Sequence, residues 1–409
     1  METIIFIDSN KSGSSREAIR AAYNLGFFTV LLTPRERFIK NRTDFPDVHH
    51  MILTDITDFQ AIKNKITILT QQGKKIAAIL SFIDPFVHVA AKLSNELGIT
   101  SFSSKPYEIM ENKRLTREHL QGLSVSPKFT IFSKDDSLNA FLVDNKERFP
   151  LIVKSAVSTG SKDVLFVENK AQLEKSLDAL FSKGYEEVLI EEYLKGPQYL
   201  IEACVFNGEV HVVAVIQQEI TFAQRFIVTG YCVLENLDVE FSNGIYQTVN
   251  SIINAFQLKN GSCHLEMRLV NGNWKLIEIN PRISGGAMNR IIEVAYGINL
   301  VEETIKIALG QKPNLEKKHR KFVYAHYLTS YETGTLIKVT GKNRCAMMPG
   351  IEEVFIKPKK GSFLHPPLSM GDRCGYIISA ADSKSEAIRL ANEAAKVIRF
   401  YIEPYIQPL

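Results

Sequence analysis

A predicted hairpin with polar side chains near its end constrains this chain more than any other feature. The segments 262-SCHLEMRLV-270 and 273-NWKLIEIN-280 have the apolar content of β-strands, and the Asn-Gly pair between them favours a tight turn. In an antiparallel hairpin, directly opposed residues lie equally far in sequence from the centre of the loop. A loop centred on Gly272 therefore places Glu266 opposite Glu278. A two-residue turn would shift that pairing by one residue.

The polar residues of the second strand are expected to share one face. Side chains alternate between the faces of a strand, so Glu278 and Asn280 point to the same side. On this alternation Leu276 shares their face, while Ile277 and Ile279 take the other. A carboxylate and an amide at the end of an apolar strand indicate a site rather than a plain core strand.

Two opposed carboxylates repel each other unless a cation lies between them. The oxygen ligands of Glu266, Glu278 and Asn280 suit Mg²⁺ or Mn²⁺, which keep coordination sites for water and phosphate oxygens. The alternative is a solvated hairpin face on which Glu266 pairs with Arg268 or Lys275. The hairpin alone leaves both interpretations open.

Length and composition indicate a multidomain globular protein. The 409 residues are enough for two or three domains, and 45% hydrophobic with 23% charged residues is ordinary for such proteins. The net charge is only +4, and the basic cluster 316-EKKHRK-321 is typical of a solvated link, so we expect no nucleic-acid partner.

The sequence predicts a cytoplasmic protein without a membrane segment. METIIFID enters a short strand directly and lacks the features of a signal peptide, and no long uninterrupted apolar run is present. The five cysteines are odd in number, widely spaced and without a CxxC pair, which favours free thiols.

The first hundred residues alternate strands and helices, which predicts a parallel sheet wound with helices. The predicted strands are 3–8, 28–33 and 76–82, and the predicted helices are about 14–25, 58–72 and 85–97. The loop 9-SNKSGSS-15 follows the first strand, where such folds often bind phosphates, but it lacks the GxGxxG spacing. A tight turn with Ser14 or Ser15 as helix cap is an equal alternative.

After residue 105 the pattern changes to strands and hairpins, and it changes again near residue 312. We therefore expect an N-terminal domain at 1–105, a central domain at 106–312 with a small lid at about 120–190, and a smaller C-terminal domain at 313–409. Two central segments carry weak signals for phosphate and base binding. They are the Ser/Gly-rich turn after Lys154 in 151-LIVKSAVSTGSKDVLFV-167 and the strand-to-linker segment 190-IEEYLKGPQYLIE-202.

Taken in order, these segments resemble the ATP-grasp superfamily of carboxylate–amine ligases. The resemblance rests on Lys113 in ENKRLTREHL, Lys154 in LIVKSAVSTGSKDV, the segment EEYLKGPQYLIE, and CHLEMRL followed by LIEINPRISGG. It implies an α/β fold of the ATP-grasp type: an N-terminal parallel wound sheet, a central domain with antiparallel sheets and a small C-terminal α+β domain.

The resemblance also implies roles for individual residues. Lys113 and Lys154 would contact the phosphates of ATP, and catalysis would rest on Arg282, Lys154 and Glu278. Further ATP contacts would come from Ser158, Gly160, Ser161, Glu191, Glu192, Tyr193, Leu194 and Gln198. Two Mg²⁺ ions, replaceable by Mn²⁺, would bind Glu266, Glu278 and Asn280. Substrate contacts would come from Asp84, Pro85, His264, Tyr231, Arg282, Gly285, Gly286 and Glu332.

Within the superfamily the chain most resembles bacterial L-amino acid ligases, which join two amino acids into a dipeptide. This resemblance implies an ADP-forming enzyme with L-amino acids as partners, and it leaves a homodimer open. Gln198 replaces an acidic residue of many relatives, and Gly230-Tyr231 stands where several have Gly-His. The alternatives are a ligase or carboxylase for another small carboxylate, and a nucleotide-binding regulatory protein without turnover.

Overall fold

The computed structural model describes residues 1–100, 103–145, 148–156, 163–222 and 226–405. The N-terminal part is an α/β unit. Its elements are β1 Glu2–Ile7, α1 Ser14–Asn24, β2 Phe28–Thr33, α2 Glu36–Lys40, β3 His50–Leu53, α3 Phe59–Gln71, β4 Lys75–Leu80, α4 Val87–Glu96, α5 Lys105–Met110 and α6 Lys113–His119.

The N-terminal sheet is parallel, as predicted. Its strand order is β3-β2-β1-β4. The sequence analysis missed β3, which has four residues and a partly exposed burial pattern that gives little apolar signal. The predicted serine cap of α1 is wrong, because Gly13 occupies the cap position with a φ of 80°. Ser14 instead donates from Oγ to the carbonyl oxygen of Ser284 at 2.6 Å, and Ser15 Oγ accepts from the N–H of Asn10.

A small antiparallel sheet follows. Its elements are β5 Phe129–Ser133, α7 Leu138–Asn145, β6 Leu151–Ser155, β7 Val164–Val167, α8 Lys170–Phe181 and β8 Glu187–Glu192. The strand order is β5-β8-β6-β7, and apolar residues of α8 and the strands form a separate core. We call this unit, residues 129–192, the lid; the lid bounds of about 120–190 stay a prediction.

The rest of the chain builds a large antiparallel sheet and a smaller one. The central elements are β9 Gln198–Phe206, β10 Glu209–Phe222, β11 Phe226–Val233, α9 Val239–Phe256, β12 Gly261–Val270, β13 Asn273–Asn280, α10 Met288–Tyr296 and α11 Leu300–Ala308. The C-terminal elements are β14 Phe322–Leu328, β15 Gly334–Thr340, α12 Lys342–Ala346, β16 Ile351–Ile356, β17 Phe363–Leu364, β18 Gly375–Ala381, α13 Lys384–Ala395 and β19 Arg399–Pro404.

The large sheet has eight strands in the order β13-β12-β9-β10-β11-β14-β18-β16. Three C-terminal strands thus continue the central sheet, while β17, β15 and β19 form a separate sheet. The boundary between residues 312 and 313 stays a prediction, but the predicted fold class is confirmed. One core joins β1 and α1 to α10, α11 and the large sheet. This core fixes the N-terminal sheet against the end of β13.

All five cysteines are buried and free, as predicted. Across the described residues, no helix combines the length and hydrophobicity needed to span a membrane.

Candidate functional site

A cavity of about 560 Å³ lies where the N-terminal, lid and large sheets meet. Sixteen of the residues predicted from the sequence line it: Asp84, Lys113, Lys154, Glu191, Glu192, Tyr193, Leu194, Gln198, Tyr231, His264, Glu266, Glu278, Asn280, Arg282, Gly285 and Gly286. Pro85 is not among the lining residues, and Glu332 is exposed on the surface. Ser158, Gly160 and Ser161 lie outside the described residues.

The β12–β13 hairpin brings Glu266 opposite Glu278, which confirms the predicted pairing. The route differs from the expected one. Asn271 and Gly272 form a two-residue turn with φ of 49° and 79°, so the strands start one residue out of that register. A β-bulge at Ile277 then restores it, since Met267 pairs with Leu276 while Glu266 pairs with Glu278.

The bulge also corrects the predicted faces of β13. Leu276 is fully buried in the core with Met267 and Ile279, whereas Ile277 lines the cavity together with Glu278. The prediction that Leu276 shares the face of Glu278 is therefore wrong. A bulge adds one residue to a strand and so reverses the alternation on either side of it.

The two opposed carboxylates have very different proton affinities. Burial and the neighbouring Glu278 raise the pKa of Glu266 to about 7. Burial also acts to raise the pKa of Glu278, but Lys113 and Lys154 outweigh it and lower that pKa to about 2. Lys113 Nζ lies 3.2 Å from Glu278 Oε1. Without a further cation, the pair favours keeping a proton on Glu266 near neutral pH.

The donor atoms of this hairpin suit a hard cation. His264 faces Asn280, with its Nε2 3.1 Å from the amide nitrogen, and its Nδ1 lies 3.0 Å from the carbonyl oxygen of Arg282. The same amide nitrogen donates to Glu278 Oε1 at 3.2 Å, so these contacts leave Asn280 Oδ1 for a metal ion. Over the described ranges, no three His, Cys, Asp or Glu side chains gather as a metal site. A bound ion would thus use two carboxylates and an amide oxygen, which fits Mg²⁺.

His264 stays uncharged beside the carboxylates. Burial, followed by the charge of Arg282, lowers its pKa to about 4. The neutral ring therefore orients Asn280 without adding positive charge to the site.

A buried charge cluster joins the lid to this hairpin. Glu191 accepts from Arg117 Nε at 2.7 Å and from Lys154 Nζ at 2.8 Å. Arg117 also donates from Nη2 to the carbonyl oxygen of Ile277, the bulge residue, at 2.6 Å. Burial, opposed by Glu191, lowers the pKa of Lys154 to about 8.

Arg117 was not predicted from the sequence, whereas Glu191 was predicted as an ATP contact. The signal for Arg117 was its position four residues after Lys113, which places both on one face of α6. The side chain of Glu191 pairs with two cations, Arg117 and Lys154, and Glu191 is among the residues that line the cavity.

At the lid end of the cavity, Arg268 holds the two residues expected near the nucleotide. Its Nε donates to Gln198 Oε1 at 3.0 Å, and its Nη1 donates to the carbonyl oxygen of Leu194. The guanidinium carbon lies 5.2 Å from the ring centre of Tyr193. Gln198 in turn points its amide nitrogen at Glu266 Oε2, 3.5 Å away. Gln198 thus links Arg268 to the carboxylate pair.

At the other end, Arg282 pairs with Asp84 from the loop after β4. Arg282 Nε donates to Asp84 Oδ1 at 2.8 Å, and Nη2 donates to the second carboxylate oxygen. The pKa of Arg282 is raised, because the charge and hydrogen bonds of Asp84 outweigh the opposing effect of burial. This bidentate pair connects two parts of the chain that are 198 residues apart in sequence.

The loop after Arg282 is fixed from two sides. Glu202 accepts from the N–H of Ser284 at 3.1 Å and from its hydroxyl, and burial raises the pKa of Glu202 to about 7. On the other side, a Cβ on Gly13 would lie 3.0 Å from the carbonyl oxygen of Gly286. The two backbones approach this closely because Gly13 has no Cβ.

Three family models match successive parts of the chain. An ATP-grasp N-terminal domain matches residues 19–100, an ATP-grasp domain matches 147–290, and L-amino acid ligase C-terminal domain 2 matches 326–403.

Related enzymes align over most of the chain. Dapdiamide A synthase of Enterobacter agglomerans is 25% identical over 373 residues, which cover 87% of this chain and 84% of that enzyme. The L-arginine-specific L-amino acid ligase of Bacillus subtilis is 22% identical over 322 residues, covering 76% and 77% of the two chains. The crystal structure of L-amino acid ligase from Bacillus licheniformis has a TM-score of 0.84 at 21% identity and covers 98% and 99%.

The matched domains follow one another in the order predicted from the sequence, and the cavity lies among them. The chain therefore belongs to the ATP-grasp superfamily, with an ATP-grasp domain between an ATP-grasp N-terminal domain and an L-amino acid ligase C-terminal domain.

Proposed function

We propose that this protein is an ADP-forming ligase that joins the carboxylate of one L-amino acid to the amine of another and releases a dipeptide. The observation that carries the proposal is the Arg282–Asp84 pair in the same cavity as the Glu266–Glu278 pair. The first pair has the charges that complement an amino acid, and the second pair has the ligands that suit a phosphate-bound metal.

The acid substrate would bind at the Arg282–Asp84 end. A guanidinium grips two carboxylate oxygens at once, and an aspartate accepts hydrogen bonds from an ammonium group. The substrate carboxylate would pair with Arg282 and its ammonium group with Asp84, so each buried side chain would exchange one charged partner for another. This is why an amino acid fits better than a carboxylate without an amine.

The nucleotide would bind at the lid end. Lys113 and Lys154 line the cavity and would bind phosphate oxygens, and the backbone of residues 191–194 would bind the adenine edge. Mg²⁺ held by Glu266, Glu278 and Asn280 would neutralise charge on the phosphates; we propose two ions, which Mn²⁺ can replace.

The reaction needs no covalent attachment to the protein. A carboxylate oxygen of the acid attacks the γ-phosphorus of ATP, ADP leaves, and an acyl phosphate forms. The amine nitrogen of the second amino acid, after losing a proton, attacks the acyl carbon, and phosphate leaves. Arg282 would stabilise the charge on the acyl oxygens in both steps.

The test is a screen of the purified protein with ATP and Mg²⁺ against pairs of the standard amino acids. ADP and phosphate release are measured together, and products are identified by mass. We expect release that requires two amino acids and a product equal to their sum minus water. Release with bicarbonate, or with one amino acid alone and without a dipeptide of that amino acid, would instead indicate a carboxylase or another ligase.

Two variants distinguish the loss of a proposed metal ligand from the loss of a carboxylate elsewhere in the protein. Glu278→Gln keeps the shape of the side chain but removes a metal ligand, so phosphate release should fall at least about 100-fold. Glu186→Gln is the control, since Glu186 is an exposed carboxylate of the lid that pairs with Lys134 at the surface and does not line the cavity. Near-normal turnover of Glu278→Gln would remove this residue from the mechanism.

A further inference from the structure

Arg373 is a cation on the wall of the cavity that the proposed reaction does not use. It lies between a short 3₁₀ turn at Met370–Asp372 and β18, and it lines the cavity together with Met370 and Gly371. Its guanidinium carbon lies 3.7 Å from the ring centre of Tyr327 and 5.9 Å from that of Tyr231. The aromatic rings hold the planar group in one orientation.

The hydrogen bonds of Arg373 go to neutral acceptors. Its Nε donates to the carbonyl oxygen of Met370 at 3.0 Å, and its Nη1 donates to that of Val228 at 3.1 Å. The adjacent Asp372 does not compensate its charge, because that carboxylate accepts from Ser369 and from the N–H of Leu368. In the part of the chain that the structure describes, no carboxylate lies within 4 Å of this guanidinium.

The other cations of the cavity are already in use. Lys113, Lys154 and Arg282 each have a carboxylate partner. Arg268 has neutral partners, but it belongs to the nucleotide end, where it holds Gln198 and Leu194. Arg373 is thus the cation at the substrate end whose charge is left for a ligand.

We propose that Arg373 binds the carboxylate of the amine-supplying substrate, so that this substrate is an amino carboxylate rather than a simple amine. The inference rests on the proposed ligase function and adds the residue that recognises the second amino acid of that reaction. Once its ammonium group has lost a proton, an amino acid carries one negative charge, on its carboxylate. One guanidinium with neutral neighbours matches that single charge.

A phosphorylated substrate fits this wall less well. A phosphate monoester carries up to two negative charges near neutral pH, whereas Val228, Tyr231 and Met370, the described cavity residues with contacts to Arg373, are all uncharged. Apolar and aromatic neighbours suit the carbon skeleton of an amino acid next to its carboxylate.

The test compares two acceptors in two proteins. The pair that gives the fastest phosphate release is used, and its acceptor is replaced by the primary carboxamide of the same amino acid. The ratio of kcat/KM for carboxylate over carboxamide is measured in the wild type and in Arg373→Met. Because both acceptors are measured in both proteins, the difference in amine basicity cancels.

We expect the wild type to prefer the carboxylate and Arg373→Met to lose that preference by about 10- to 100-fold, the usual effect of a charge-assisted hydrogen bond. The KM for ATP should change little. Turnover of the carboxamide by Arg373→Met also shows that the variant is folded. If it does not fold, Arg373→Lys, which keeps the charge without the planar fork, should show a smaller loss of preference.

Three outcomes overturn the inference without touching the proposed function. In the first, both Arg373 variants keep the wild-type ratio of kcat/KM for carboxylate over carboxamide. In the second, the wild type does not prefer the carboxylate acceptor. In the third, the Arg373 variants lose discrimination among acid substrates instead of among acceptors. Arg389→Gln, on the exposed face of α13, is the control and should leave the ratio unchanged. Failure of the proposed function looks different, because no pair of amino acids would then support phosphate release in the wild type.

Discussion

Removing the negative charge of Glu191 should destabilise the protein strongly. Glu191→Gln keeps the shape of the side chain but leaves Arg117 and Lys154, whose side chains are 1% and 4% exposed, without their shared carboxylate. Removing one partner of a buried ion pair costs about 3–5 kcal/mol. The glutamine carbonyl can still accept one hydrogen bond from Arg117, which places the expected loss near 3 kcal/mol, or roughly 3–4 °C in Tm for a chain of 409 residues.

The two cations should respond differently to this change. Arg117 stays charged at any useful pH, but Lys154 can lose its proton, since its pKa is already lowered to about 8. Without Glu191 that pKa falls further. As pH rises, Lys154 in the folded protein loses its proton before lysine in the unfolded chain does, and from that pH on the stability increases. In the variant this increase begins at a lower pH than in the wild type. The gap in Tm between the two proteins should therefore narrow as pH rises towards 8.

Thermal unfolding at several pH values measures both effects. Glu192→Gln is the matched control, because it removes a charge from the next residue outside the cluster. We also expect Mg-ATP to raise the Tm of Glu191→Gln more than that of the wild type, since phosphates supply the missing negative charge. A Tm equal to that of Glu192→Gln at pH 7 would refute the idea that Glu191 balances two buried cations.

Further predictions concern three other contacts. Asp84→Asn should lower kcat/KM for the acid substrate by about 10-fold or more, with little change in the KM for ATP, because Arg282 loses its charged partner; steady-state kinetics tests this. Gly13→Ala should lower the free energy of unfolding by about 1–2 kcal/mol or more, since its φ is 80° and a Cβ meets Gly286; denaturant unfolding tests it. ATP binding should weaken as pH rises through about 8, where Lys154 loses its proton, and titrations with Lys154→Arg should not show this decline.

The sequence predicted the hairpin well because its signals are local. Strand patterns and an Asn-Gly turn place the two strands side by side, but Glu266 pairs with Glu278 because the bulge at Ile277 offsets the one-residue shift of the two-residue turn. The bulge at Ile277 could not be predicted, because an isoleucine followed by a glutamate is also the pattern of a regular strand whose apolar and polar side chains alternate. The opposed pair was therefore right, and the faces of Leu276 and Ile277 were wrong.

Contacts between segments that are distant in sequence could not be predicted from local sequence patterns. Asp84 meets Arg282 only because the N-terminal sheet packs on the helices that follow β13. Arg373 reaches the cavity because β14 and β18 extend the large sheet, whereas the sequence suggested a separate small domain. Such placements depend on the packing of whole sheets, and no local pattern records them.

The bulge at Ile277 explains how the lid and the carboxylate pair form one site. An extra residue in a strand leaves its backbone groups outside the ladder, and here the freed carbonyl oxygen accepts from Arg117 at 2.6 Å, with Lys154 Nζ 3.5 Å away. The same two cations hold Glu191 of the lid. The irregularity that sets Glu278 opposite Glu266 therefore also anchors Lys154, the lysine proposed to bind phosphate. A regular β13 would lose the carboxylate pairing and this anchor together, so the bulge is part of the site.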